Sequence, residues 1–346
     1  MSRVVRLLVV LLIVAPAPAM AQSSGTRAAM VDTVIGVQDY FADDGAWETQ
    51  LIVDSFMSAE LAPRLQASFR PLLWRKSDGA TMSFIDHLSL RYEFRKGANW
   101  RIEGGKFPSP IGLGMTENRA SVNDGLLWCH RPYYGYLPAV GVGSPAHAIV
   151  SANYPVGVLV NASGDRWDAR AAVVDRAPTD IWFQEDVPRR TNAIVGAGIS
   201  PRQGLRLGVA AAWGRSGDAQ SSEPYRLLNV EGEYAFAYTK ISGEWTRDVF
   251  ETTAGEVASS GWTLQAKQTL TPRVFVHTRF STVSSPEAIA YAGSSDRRFW
   301  TADSTVGYMV SSEITLRAGH AALRGWGGPE VDHQIGVSLI WSRRWW

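Results

Sequence analysis

The chain has 346 residues, a formal net charge of +1 and a single cysteine. Because Lys and Arg are interspersed with Asp and Glu, the charge gives no reason to expect a nucleic-acid partner. The one cysteine, Cys129, excludes an internal disulfide.

Residues 1–21 have the pattern of a secretory signal peptide. Arg3 and Arg6 precede an apolar run over 7–14, and Ala19-Met20-Ala21 is a small-x-small cleavage pattern. The apolar run is shorter than the roughly 20 residues that a transmembrane helix needs. We therefore expect export from the cytoplasm, cleavage near Ala21 and a mature chain of residues 22–346.

The mature chain alternates apolar and polar residues with the two-residue period of β-strands. Within 84–95, Leu88, Leu90, Tyr92 and Phe94 share one face, and polar or charged residues occupy the other. This alternation alone fits either a secreted soluble β protein or a membrane barrel. All 14 Trp lie in the mature chain, which favours a barrel whose aromatic residues gather where bilayer meets water.

The connections between strands alternate between two lengths. Tight connections of three to five residues, most of them containing Pro, Gly or Asn, lie at 61–64, 96–99, 163–165, 200–204, 238–240, 270–273 and 311–313. Longer polar connections lie at 76–81, 108–145, 178–190, 216–224, 251–259, 284–297 and 325–332. Short turns at one rim and long loops at the other are the layout of bacterial outer-membrane barrels.

Counting back from a last strand at 335–345 gives an even total of about 16 strands, as single-chain bacterial barrels require. The first strands are predicted at 31–41 and 50–60, joined by an outer turn at 43–45. The sequence therefore predicts an all-β fold over 22–346: a closed antiparallel transmembrane β-barrel of about 16 strands with a long third outer loop.

That third loop, within residues 104–145, carries the motif by which the chain resembles a known family. Gly105-Lys-Phe-Pro-Ser-Pro-Ile-Gly112 is similar to the G-x-F-x-x-P-x-G stretch of phosphate-selective-porin-like barrels. With the signal peptide, the strand layout and the aromatic last residue Trp346, the chain resembles a Gram-negative outer-membrane porin. The resemblance implies a place among outer-membrane lipids, a homotrimer, passive diffusion of small hydrophilic solutes or ions, and a loop that folds inward and narrows the pore.

Charged residues of the loop are candidates for a pore constriction. Acids on an inward loop that face basic residues on the barrel wall would set a transverse electric field at the narrowest point. The alternative is an ordinary solvated outer loop. The constriction candidates are Glu117, Arg119, Asp124, His130 and Arg131.

The strand alternation also places charged residues on the lumen side. A ring of arginines would build an anion-preferring pore, whereas mixed charges that pair across neighbouring strands would only keep the lumen wet. Both interpretations stay open because the set carries both signs. The lumen-lining candidates are Arg70, Arg91, Glu93, Arg95, Arg101, Glu103, Arg279 and Arg317.

No sequence pattern indicates catalysis. His87 and Ser89 share a strand face, but a nucleophile and its base need a third, orienting group. Neither G-x-S-x-G nor H-E-x-x-H occurs, and no metal-ligand cluster is visible. We therefore expect no enzymatic activity, no cofactor and no metal ion. A diffusion channel is the leading function; the alternative is a barrel without an open pore that serves as a surface adhesin or envelope scaffold.

Overall fold

A computed structural model describes residues 29–41, 47–76, 79–95, 98–113, 124–125, 153–180, 188–217, 222–252, 255–284, 298–324 and 331–345. The predicted signal peptide at 1–21 and the predicted outer turn at 43–45 lie outside the described residues. Among the described residues, no helix is long and apolar enough to cross a membrane.

The described elements are strands that follow one another along the chain. They are β1 (Ala29–Phe41), β2 (Trp47–Ala62), β3 (Leu65–Arg75), β4 (Thr81–Arg95), β5 (Ala98–Lys106), β6 (Val156–Ser163), β7 (Trp167–Val174), β8 (Asn192–Arg202), β9 (Leu205–Ser216), β10 (Glu223–Phe236), β11 (Thr239–Thr252), β12 (Gly255–Thr271), β13 (Val274–Ser284), β14 (Arg298–Met309), β15 (Ile314–Arg324) and β16 (Asp332–Trp345).

Each strand pairs antiparallel with its neighbours in sequence, and β1 also pairs with β16, which closes the sheet into a barrel. In the closing pair, Val31 lies opposite Trp345 and Phe41 lies opposite Ile335. Closure leaves no open sheet edge, so every strand has a partner on both sides. The predicted closed antiparallel barrel of 16 strands is confirmed.

The barrel wall is apolar outside and largely polar inside. On β4, the exposed side chains of Leu88, Leu90 and Tyr92 alternate with the buried Ser89 and the half-buried Arg91. Successive side chains of a strand point to opposite faces of the sheet, so the apolar set faces outward and the polar set faces the interior. A soluble barrel or sandwich has the reverse arrangement.

Outward-facing aromatic residues gather toward both ends of the strands. At the ends of the strands that meet in short turns, here called the turn side, lie Tyr92, Phe94, Trp100, Trp167, Tyr234, Phe236 and Tyr308. Toward the opposite, loop side, Phe280 contacts both Trp262 and Trp300, with ring centroids 5.1 and 6.1 Å apart. Between the two sets the exposed side chains are mainly aliphatic, including Leu90, Val158 and Val209.

One connection differs from its prediction. The long outer loop expected at 251–259 is instead a tight hairpin, because β11 continues to Thr252 and β12 begins at Gly255. Glu251 pairs with Glu256 and Thr252 with Gly255, so the antiparallel backbone pairing continues to the ends of both strands although this stretch is polar in sequence. Gly255 has φ of 121°, a conformation that side chains disfavour, and this permits the tight reversal.

Candidate pore lining and constriction

The strand registers place the predicted lumen residues at inward-facing positions. Cross-strand neighbours include Arg91 with Glu103, Glu93 with Arg101, and Arg279 with Asp303. The side chain of Arg95 lies outside the described residues. The inward-facing set is Arg70, Arg91, Glu93, Arg101, Glu103, Arg279 and Arg317.

Arg70 on β3 is held in a buried polar cluster. Its Nε and Nη2 atoms donate to the two carboxylate oxygens of Asp54 on β2 at 2.8 and 2.9 Å, and Nη1 donates to the Tyr154 hydroxyl at 3.0 Å. The Asp86 carboxyl, only 3% exposed, also interacts electrostatically with Arg70. The strand register shifts between Arg70 and Pro71, so Asp86 is the extra residue of a bulge. A bulge re-aims a side chain, and for this reason simple alternation missed Asp86.

His87, Ser89 and Glu103 form a compact triangle on β4 and β5. The Ser89 hydroxyl donates to Glu103 Oε1 at 2.5 Å, and His87 Nε2 lies 2.8 Å from the same oxygen and 2.7 Å from Ser89 Oγ. One ring nitrogen thus faces both partners. In a Ser-His-carboxylate triad the imidazole uses its two nitrogens for the two partners, so this triangle lacks that geometry.

Four charged side chains of β7, β9 and β10 form a cluster on the inner wall. Arg206 on β9 donates to both carboxylate oxygens of Asp168 on β7 at 3.0 and 2.9 Å, and its Nη1 donates to Glu231 on β10 at 2.7 Å. Arg170 Nη2 reaches the same Glu231 oxygen at 3.4 Å. We call these four residues the ion cluster. Its two positive and two negative charges neutralise one another.

Two inward-facing glycines let Arg206 bridge strands that are not neighbours. Across the sheet the register runs from Asp168 to Gly198, Gly208 and then Glu231. A Cβ at Gly198 would lie 2.6 Å from Asp168 Oδ2 and 2.7 Å from Arg206 Nη2. A Cβ at Gly208 would lie 2.8 Å from Glu231 Oε1. The guanidinium therefore rests on bare backbone, and any side chain at Gly198 would displace it.

The opposite wall pairs its charges in the same way. The Arg279 Nε atom donates to Asp303 Oδ2 at 2.8 Å, with both side chains buried, and His277 Nδ1 lies 3.8 Å from the same carboxylate. Arg317 on β15 is buried and interacts electrostatically with Asp124 of the third loop. These three charged side chains of the wall are therefore buried and lie close to a charge of the opposite sign.

The described parts of the third loop contact the inner wall. Phe107 and Ile111 are fully buried in an apolar cluster with inward-facing residues of β6–β13. The Leu113 N–H donates to Glu244 Oε2 on β11 at 2.8 Å. Further along the loop, Asp124 lies 2.9 Å from the Lys267 ammonium on β12. The other constriction candidates, Glu117, Arg119, His130 and Arg131, lie outside the described residues.

The sequence did not predict the apolar cluster on which Phe107 and Ile111 of this loop pack, because polar residues were expected on the lumen side. A usable signal was present, because small or apolar side chains recur at inward positions of three successive strands. Polar residues there would have been left unpaired beneath the loop. The inward-facing apolar residues of the three strands are Ala172, Val174, Ile194, Ala210 and Ala212.

A buried polar network at the loop side joins the root of the third loop to its neighbours. Asp180 accepts hydrogen bonds from the Ser216 hydroxyl at 2.7 Å and from the N–H groups of Ala177 and Gly217 at 2.8 and 3.2 Å. The Asn153 amide donates to the Asp180 carbonyl at 3.1 Å. Burial raises the pKa of the Asp180 carboxyl, and the hydrogen bonds only partly oppose this.

Among the residues that the structure describes, no three His, Cys, Asp or Glu side chains are grouped so as to hold a metal ion. The described interior consists of a polar wall of paired charges and a third loop that packs on an apolar cluster. Such a wall can hold water and small polar solutes without a strong preference for one sign of charge.

No protein-family model matches this sequence, and no curated protein matches it either. Solved structures do match. An anion-selective porin from Comamonas acidovorans aligns with a TM-score of 0.65 and 11% identity over 92% of this chain and 100% of its own. The outer membrane channel DcaP of Acinetobacter baumannii aligns with a TM-score of 0.61 and 10% identity over 94% and 100%.

The trimer form of OmpT, an outer membrane protein of Vibrio cholerae, aligns with a TM-score of 0.57 and 11% identity over 92% of this chain and 100% of its own. These identities are low, and the likeness lies in the closed barrel and its strand order. The chain therefore has the 16-stranded fold of outer-membrane porins.

Proposed function

We propose that this chain is a channel of the Gram-negative outer membrane through which small hydrophilic solutes or ions diffuse passively. The observation that carries the proposal is the inverted polarity of the wall, with Leu88, Leu90 and Tyr92 outside and Ser89 and Arg91 inside. Apolar outer surface stabilises a barrel in lipid, and a polar interior stabilises water inside it. The aromatic residues toward both strand ends support the same placement, because aromatic side chains favour the two membrane interfaces.

We also propose that the third loop narrows the lumen. Three independent contacts support this: the burial of Phe107 and Ile111, the hydrogen bond from Leu113 to Glu244, and the ion pair of Asp124 with Lys267. The apolar cluster holds the beginning of the loop and the ion pair holds a later point. The side chains that occupy the interior at these two points reduce the open cross-section there.

Planar-bilayer recordings test the channel directly. A channel produces stepwise conductance that scales with salt concentration, whereas the alternative adhesin or scaffold produces none. Protein used in the recording first has to migrate differently on a gel before and after boiling, which shows that the barrel is folded. Folded protein without conductance steps would refute the channel and favour the alternative.

The loop is tested by Lys267→Gln, which removes the partner of Asp124. We expect larger conductance steps or more frequent transitions between levels, because one attachment of the loop is lost. The matched control is Lys240→Gln, since Lys240 lies directly opposite Lys267 on β11 but pairs with Glu233 at 2.7 Å. This variant removes a cation from the same part of the wall and leaves the partner of Asp124 in place. If the two variants conduct alike, the loop does not set the pore's narrowest point.

Three further expectations belong to this proposal. The porin fold makes a homotrimer the assembly to test, by mass measurement of the detergent-extracted complex. Cleavage after Ala21 would give a mature N-terminus at Gln22, which N-terminal sequencing of the membrane-extracted protein checks. The expectation that the chain needs no cofactor and has no enzymatic activity stays a prediction.

A further inference from the structure

A polar recess of about 410 Å³ indents the inner wall at the turn side of β4–β7. Its first row of side chains follows one cross-strand register, in which Glu93, Arg101, Asn161 and Arg170 are successive neighbours. All four belong to inward-facing positions, so the recess opens toward the lumen.

A second register adds further polar side chains to the lining, which Trp100, Ala162 and Ala169 complete. Asn99, Ser163 and Asp168 are successive neighbours on β5, β6 and β7, one row closer to the turns. Two amides, one hydroxyl and four charged groups thus line a space that is the size of a small polar molecule with several waters.

Half of the charged groups are already engaged by the ion cluster. Both carboxylate oxygens of Asp168 accept hydrogen bonds from Arg206, and Arg170 reaches Glu231 at 3.4 Å. These two residues form a neutral side of the recess with little capacity for another ionic partner.

The remaining two charges are available. Arg101 is exposed and has no hydrogen-bond or ion-pair partner among the described residues. The Glu93 side chain is 52% exposed, and its one ion pair among the described residues is with Arg91 at 3.9 Å. Glu93 and Arg101 lie directly opposite each other on β4 and β5, so their Cβ atoms are roughly 5 Å apart. One free cation and one loosely held anion therefore face the lumen side by side.

We propose that this recess binds a small zwitterion, a solute that carries a carboxylate and an ammonium group together. Its carboxylate pairs with the Arg101 guanidinium and its ammonium with the Glu93 carboxylate, while Asn161 and Ser163 hydrogen-bond its remaining polar atoms. A simple anion would be repelled by Glu93 and a simple cation by Arg101. The site deepens the proposed channel function and rests on it only for the route by which solutes arrive.

Binding is measured without current, by saturation-transfer NMR of the folded barrel in detergent micelles titrated with L-serine. Acetate, methylammonium and glycerol serve as probes that carry one charge or none. We expect saturable binding of serine that exceeds binding of each of these three. Arg101→Gln and Glu93→Gln should each weaken serine binding about fivefold, as expected when one exposed ion pair is lost.

Two further variants provide the controls. Arg166→Gln removes an exposed cation from the same rim outside the recess, and serine binding should not change. The exchange E93R/R101E keeps both charges and should retain more binding than either single neutralisation. Equal serine binding in wild type, Arg101→Gln and Glu93→Gln, or equal binding of glycerol, would overturn the site.

The site and the channel can fail separately. Serine binding by a folded barrel that gives no conductance would leave the site standing and refute the channel. Conductance without serine binding would leave the channel standing and refute the site.

Discussion

Replacing Gly198 by alanine tests whether Arg206 really crosses β8 to reach Asp168. The new Cβ would lie 2.6 Å from Asp168 Oδ2 and 2.7 Å from Arg206 Nη2, so the ends of both side chains must move apart. The matched control is Gly232→Ala on the outward face of β10, where a Cβ would make only ordinary contacts, with Leu207 Cδ2 at 3.4 Å and the Arg206 backbone oxygen at 3.9 Å. Both changes reduce the entropy of the unfolded chain equally, so their difference isolates the bridge.

The expected difference follows from burial. The Arg206 and Asp168 side chains are 27% and 34% exposed, so losing their pairing costs about 1 kcal/mol. Glu231 is only 2% exposed and also loses the cation at 2.7 Å, which adds about 1 kcal/mol. We expect Gly198→Ala to unfold with a free energy about 2 kcal/mol below that of Gly232→Ala.

Urea unfolding of the refolded barrel, followed by tryptophan fluorescence, measures this difference. A double-mutant cycle sharpens the test, because Gly198→Ala should cost nothing extra once Arg206 has been changed to Gln. Equal stability of the two alanine variants, or full additivity with the Arg206 change, would refute the bridge across β8.

Three other predictions concern the buried groups. Arg70→Gln leaves Asp54 and Asp86 without their main cation and should lower the unfolding free energy by about 3 kcal/mol. Adding Asp54→Asn should recover part of this loss. An unchanged unfolding free energy in urea would refute the stabilising role of the Arg70 cluster. Ile111→Asn places an amide in the apolar cluster beneath the third loop and should enlarge the conductance steps in planar bilayers; steps of wild-type size would refute a role of this cluster in narrowing the lumen. Because the folded-state pKa of Asp180 is raised, its stabilising effect is complete below the unfolded-state pKa and lost as pH rises through the folded-state pKa. Relative to Asp180→Asn, the wild type should therefore lose stability as the pH rises above about 4, the unfolded-state pKa of an aspartate; parallel pH profiles would refute this.

The strand layout could be predicted because it depends on local features. The alternation of Leu88, Leu90 and Tyr92 with polar neighbours fixes which face is outward, and the turn residues fix where each strand reverses. Parity then determines the even strand count. The exception at 251–259 arose because polar residues such as Glu251 and Glu256 look like a loop in sequence yet pair normally through their backbones.

The candidate site was less accessible to sequence reasoning. Facing direction could be predicted for Arg70 and Arg279, but their partners could not, because pairing depends on register and on side-chain reach. Arg206 illustrates the difficulty, since its main partner Asp168 lies two strands away and the contact depends on the absence of a side chain at Gly198. Asp86 escaped because a bulge breaks the alternation on which its prediction would have relied.

The pairing of β1 with β16 joins the two ends of the described chain, with Val31 opposite Trp345. Contacts of such long sequence separation form late, because closing a long loop costs entropy before the contact gains anything. Until β16 is in place, β1 and β15 each present an unpaired row of N–H and C=O groups, which hydrocarbon does not tolerate. A chain cut short within β16 would therefore lose more than its last strand: two open edges would remain, each a template for pairing with another molecule.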